Sequence, residues 1–101
     1  MQMLLVIFRQ SLDEDIRRLL KDLDIKAFTE APKVFGIGEA GEAFGSLTWP
    51  GHNSMILAAM EDQQAERVIG RLQAFRDHLM QQQGDTKIPL RVFVMPCRQV
   101  V

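Results

Sequence analysis

Between Phe35 and Asn53 the chain gathers five of its seven glycines, its only tryptophan and one of its two histidines. Gly36, Gly38 and Gly41 match the G-x-G-x-x-G spacing that cradles a pyrophosphate where a strand turns into a helix. No helix start follows them, and Glu39 and Glu42 would repel a pyrophosphate, so the glycines are read as permitting a tight or mobile loop. His52 with Glu39 and Glu42 offers an imidazole and two carboxylates, a donor set for a divalent metal completed across a threefold axis. The same histidine also fits a turn making ordinary hydrogen bonds, and no C-x-x-C or H-x-x-x-H spacing accompanies it. Lys33, Lys87, Arg91 and Arg98 are cations for an anion-binding cleft between subunits, or equally salt-bridged surface groups. Phe44, Leu47 and Trp49 are too apolar for a freely solvated loop; they either pack on the sheet or a neighbouring subunit, or form a docking surface. No hydroxyl nucleophile with a nearby base and no carboxylate pair with a cleft signature supports catalysis. His78, beside Asp77, is assigned no role, Cys97 reads as a packed thiol, and the six methionines read as gap-filling rather than as a copper cluster.

The 101 residues form one domain, 1–101, with a loop over 36–53. A composition of 47% apolar and 25% charged residues describes an ordinary globular chain. A net charge of −1 gives no basic field for nucleic acid. The apolar run Met3–Phe8 is far short of the ~20 residues needed to cross a bilayer, so no membrane insertion is expected. A single cysteine and the lack of a secretory leader point to the cytoplasm.

The elements that must position these residues follow from periodicity. Met3–Phe8 predicts strand one. Ser11 and Glu14 read as a capping box opening a helix with the apolar stripe Leu12, Ile16, Leu19, Leu20 and Leu23. Strand two is expected from Ile25 to about Phe35, with Pro32 marking an edge or a bulge. Ser54–Met60 predicts strand three. A second helix, capped by Glu61 or Asp62, carries the stripe Ala65, Val68, Ile69, Leu72, Phe75 and Leu79 and ends near Gly84. Gly70 within it suggests a close approach to the sheet. Leu90–Met95 predicts strand four, stopped by Pro96, with Val100-Val101 as a short final strand. The order βαββαβ is a ferredoxin-like α+β fold, a four-stranded antiparallel sheet with two helices on one face. Strands one, three and four are apolar on both faces, whereas a sheet wet on one side alternates. The helices cover only one face, so the other predicts an obligate homo-oligomer built sheet against sheet.

In topology and in several motifs the chain resembles the PII-like superfamily of trimeric signalling proteins, which includes the nitrogen-regulatory PII proteins and the CutA family. Lys33-Val34-Phe35-Gly36 is similar to the segment where the PII T-loop begins. Val92-Phe93-Val94-Met95-Pro96 looks like the family's final strand, and Gly84-Asp85-Thr86-Lys87 is similar to the loop that holds nucleotide phosphates. Registered on Val92–Pro96, however, the phosphate-loop lysine position falls on Arg91. Ile37 and Gly38 stand where PII proteins carry polar residues, including a glutamine used on the ligand. The T-loop is much shortened, and the absence of tyrosine excludes the uridylylation known from some PII proteins. The resemblance implies a cytoplasmic, non-catalytic, homotrimeric signal-transduction protein. Its ligand, a small anion, an adenine nucleotide or a metal ion, would sit at the intersubunit cleft on Phe35, Gly36, Ile37, Gly38, Lys87, Arg91 and Arg98. Residues 35–53 would meet a protein partner such as a transport or metal-efflux system. The rival readings are a small dimeric α/β-barrel enzyme of the same topology, with His52 or His78 as acid/base, and a ligand-free adaptor.

Overall fold

A computed structural model describes residues 1–35, 52–84 and 88–101, with the side chain of residue 83 outside that description. The elements run β1 (Gln2–Arg9), a 3-10 turn (Gln10–Leu12), α1 (Asp13–Asp22), β2 (Thr29–Val34), β3 (Asn53–Met60), α2 (Asp62–Gln83) and β4 (Leu90–Pro96). The four strands form one antiparallel sheet in the order β2-β3-β1-β4. This is the expected ferredoxin-like α+β architecture, with both helices packed on one face of the sheet.

Alternation along the strands decides which side chains meet the helices. Leu4, Val6 and Phe8 of β1 are buried, as are Ile56, Ala58 and Met60 of β3. They close over Ile16, Leu19 and Leu20 of α1 and Ala65, Val68 and Leu72 of α2. Each large side chain buried there contributes ~1.5–3 kcal/mol before the entropy of ordering is subtracted. The stripes expected on both helices are the faces they bury.

Several local expectations are corrected. Ser11 does not cap α1: it lies in the 3-10 turn, Leu12 occupies the N-cap position, and no side-chain cap bond forms with Glu14 or any other residue. The amide of Gln10 instead donates to the carbonyl of His52 (2.8 Å), which holds the chain in a tighter turn before the helix starts. Ile25 belongs to the end of α1 rather than to β2. Its amide donates to Leu20 O (2.9 Å) and that of Asp24 to Lys21 O (3.0 Å), a Schellman closure with Asp24 in the left-handed region at φ 62°. Gly70 faces solvent with open space where a Cβ would stand, so it marks no close approach. Gly84 is itself the C-cap of α2, and residues 97–101 form no strand. Pro32 does sit in an edge strand at a bulge: the register with β3 slips between Ala31 and Val34, with Lys33 at φ 58°.

The second sheet face carries Met3, Leu5 and Ile7 of β1, Met55, Leu57 and Ala59 of β3, and Phe93 and Met95 of β4. Among the described residues no element of the chain covers them. Phe93 is 49% and Met95 41% exposed.

Candidate functional site

One end of the sheet roots both loops singled out by the sequence. There β2 ends at Val34, β3 begins at Asn53, β1 ends at Arg9 and β4 begins at Leu90. Two consecutive amides at the end of β1 fix the roots relative to each other: Arg9 N–H donates to Pro89 O (3.1 Å) and Gln10 N–H to His52 O (2.8 Å). Leu90 N–H closes a tight turn onto Ile88 O (2.8 Å). The returns from residues 36–51 and from 85–87 are thus tied to one strand end.

Phe35 and His52 flank the longer loop and meet edge to face, with ring centroids 5.3 Å apart at an interplanar angle of 84°. Such a contact is worth ~0.5–1.5 kcal/mol beyond area burial. Phe35 nonetheless stays 75% exposed. The Nδ1 atom of His52 is buried and accepts or donates no hydrogen bond among the described residues. Leaving such an atom unpaired costs ~1–3 kcal/mol.

The character of the open face changes at this end. Arg91 lies opposite Ile7 and Arg9 lies opposite Asn53, and alternation puts both arginines and the asparagine on the face that carries Leu5 and Phe93. Arg9 and Arg91 are diagonal neighbours across the β1–β4 pair, a separation of ~7–8 Å. Burial lowers the pKa of Arg9 from its usual value, yet a guanidinium remains charged at neutral pH. Arg91 is exposed and makes no ion pair among the described residues. The open face thus passes from apolar side chains to the exposed Arg91 at the sheet end.

Of the residues singled out by the sequence, the structure therefore brings Phe35, His52 and Arg91 to one sheet end. Arg98 lies elsewhere in the chain, past the far end of β4, where Cys97 N–H donates to Met1 O (3.2 Å). At ~3.3 Å per residue this places it ~20 Å from Arg91 within one chain. Gly36, Ile37, Gly38, Glu39, Glu42 and Lys87 lie outside the described residues, as do Phe44, Leu47 and Trp49. No group of three or more His, Cys, Asp or Glu side chains suited to a metal occurs among the described residues. Sequence reasoning missed Arg9 because strand one was ended at Phe8. Extending the alternation one residue would have placed Arg9 on the face of Ile7.

Beside this end, Arg17 of α1 forks onto Glu30 of β2, with Nε to Oε1 at 3.2 Å and Nη2 to Oε2 at 3.0 Å. Asp13 Oδ2 lies 3.2 Å from the same Nε. The Asp13 carboxyl is pushed up in pKa by burial and then by the charge of Glu30, with Arg17 pulling the other way.

Three comparisons place this geometry. The family model for nitrogen regulatory protein P-II matches residues 1–101. No curated protein sequence matches the chain. Among solved structures, CPII from Thiomonas intermedia K12, a nitrogen regulatory PII-like protein bound to ADP and bicarbonate, superposes with a TM-score of 0.70 at 22% identity. The match covers 93% of this chain and 82% of that one. The same protein bound to ADP, AMP and bicarbonate gives 0.69 at 21% identity over the same shares. A PII-like signalling protein from Thermus thermophilus gives 0.59 at 17% identity, again covering 93% and 82%. At these identities the superpositions establish the fold.

Proposed function

Since the chain belongs to the nitrogen regulatory protein P-II family, we propose that it is a non-catalytic signalling protein. It acts as a single domain that assembles as a homotrimer through the open sheet face. It binds a small anionic ligand at the loop-bearing sheet end, and it presents residues 35–53 to a protein partner, a transport or efflux system being the first class to test. The observation that carries this reading is the gradient along the open face, apolar from Met3 to Ile7 and ending at the exposed Arg91. A covered apolar face with a charged margin makes a cleft between copies, and the margin lies where both loops are rooted.

An adenine nucleotide is the first candidate ligand, because CPII is bound to ADP and AMP. The phosphates would face Arg91, with Lys87 and a neighbouring copy's Arg98 completing the charge. That arrangement also gives a place to Arg98, which a single chain keeps away from the site. Phe35, Gly36, Ile37 and Gly38 would form the wall beneath the loop. Ligand binding would bias the loop between free and docked conformations through its differential contacts.

Isothermal titration of the wild-type chain with ATP, ADP and AMP tests this reading. A saturable signal is expected, weakened about tenfold or more in Arg91→Ala, since a charge-assisted bond contributes ~1.5–3 kcal/mol. Absence of heat with all three nucleotides, or an unchanged affinity in Arg91→Ala, contradicts it. Membership of the P-II family favours a regulator over the dimeric α/β-barrel enzyme.

A further inference from the structure

A groove of about 290 Å³ runs between α1 and α2, on the side of the chain away from the open sheet face. Strands β1 and β3 are antiparallel, so the two helices that run back along them are antiparallel as well. Asp22 at the end of α1 therefore lies across the groove from Arg71 of α2, and Asp15 lies across from His78. Positions 15 and 22, like 71 and 78, are ~10 Å apart along their helices, which sets the length of the groove. Between these ends the floor is apolar: Leu19 is buried, Phe75 half-buried, and Ala74 contributes only a methyl group. The two ends differ in how their charges are used. Asp15 is engaged by Arg18 of its own helix at 3.8 Å. Asp22 and Arg71 make no ion pair or side-chain hydrogen bond among the described residues.

We propose that this groove binds a free α-amino acid with an apolar side chain of about leucine's size. Its ammonium meets Asp22, its carboxylate meets Arg71, and its side chain lies along Leu19, Ala74 and Phe75 toward His78. Facing walls of opposite charge call for an occupant that carries both signs. A simple anion is repelled by Asp22 and a simple cation by Arg71, whereas a zwitterion completes both walls and leaves the site neutral. The apolar floor rewards a side chain that covers it, so a bare zwitterion gains less. A volume at the lower edge of the ~300–1,000 Å³ usual for ligand pockets suits a molecule much smaller than a nucleotide. Copies packed on the open sheet face leave the groove accessible, because the helices and the core lie between the two.

The test is titration of the full-length, nitrogen-15-labelled chain with L-leucine, following the backbone amides of α1 and α2 by NMR. Saturable shifts are expected around Leu19, Asp22, Arg71 and Phe75. Leucinamide, which lacks the carboxylate, and N-acetyl-leucine, which lacks the ammonium, should each bind roughly fivefold or more weakly, the loss of one exposed ion pair at its upper figure. Asp22→Asn and Arg71→Gln should weaken leucine by the same factor, and Ala74→Leu should block it by filling the floor. Lys21→Gln, exposed on α1 outside the groove, should change nothing. All four substitutions are at exposed helical positions, so the fold is kept, which circular dichroism checks. No saturable shift with leucine, equal affinity for leucine and both blocked forms, or wild-type affinity in both Asp22→Asn and Arg71→Gln would overturn the proposal. Adenine-nucleotide titration of the same variants reads the site at Arg91 separately, so failure of one assignment is distinct from failure of the other.

Discussion

Truncating Phe93 to alanine should weaken assembly by several decades as well as weakening the individual fold. Its ring sits on the open face opposite Leu5, and 49% of it stays exposed in one chain. A phenylalanine buries ~150–250 Å², so covering the exposed half hides ~100 Å², or ~2.5 kcal/mol per copy at 25 cal/mol/Å². Three copies lose this together, ~7 kcal/mol for a trimer, and at 1.4 kcal/mol per decade the overall dissociation constant rises about five decades. The half already packed within the chain adds a loss of similar size to monomer stability, which urea unfolding reports separately. Sedimentation equilibrium over a dilution series from micromolar to nanomolar measures the association. A Phe93→Ala dissociation curve superimposable on that of the wild type would refute the reasoning, because it would mean that nothing covers this ring in the assembly.

Further expectations concern the fold around the site. Asp24→Gly should raise stability by ~0.5–1 kcal/mol in chemical unfolding, since glycine adopts the left-handed conformation held at φ 62° without steric cost and the exposed Lys26–Asp24 pair (3.6 Å) contributes little. Gly70→Ala should add ~1 kcal/mol, because the position is helical, faces solvent and has room for a methyl group; a loss would show that something packs against it in the assembly. Asp13→Asn should be stabilising at pH 7 and lose that advantage on acidification. The carboxyl's pKa is raised in the folded state, so the stability linked to its protonation is present below the ordinary value of 3.8 and lost as pH rises through the folded value. Asparagine stays neutral throughout; urea midpoints at pH 3 and pH 7 that differ from the wild type by equal amounts would contradict this linkage.

The helices and the two-faced strands were legible because each rests on a repeated pattern. Five apolar residues at helical spacing define α1, and six define α2, so single deviations do not alter the reading. Boundaries set by tertiary bonds were not legible. Ser11 has the chemistry of an N-cap, but a backbone bond from Gln10 to a residue some forty positions away, His52, fixes the entry to the helix. Ile25 is apolar and follows a helix, which looks like the start of a strand, yet its amide closes the Schellman turn. The candidate site was half legible for the same reason. Phe35, His52 and Arg91 were marked by their types near the loops, whereas Arg9 becomes part of the site only through its register with Asn53. The groove between the helices is of the same kind, since Asp22 and Arg71 belong to different helices and only the packing of α1 beside α2 sets them across from each other.

Light scattering on the purified chain, coupled to size exclusion and run at micromolar concentration, tests most directly whether other copies cover the open face. The expected mass is three times 11.5 kDa, about 34.5 kDa. A folded, monodisperse species of 11.5 kDa would contradict it, since Leu5, Leu57 and Phe93 would then stand uncovered in solution.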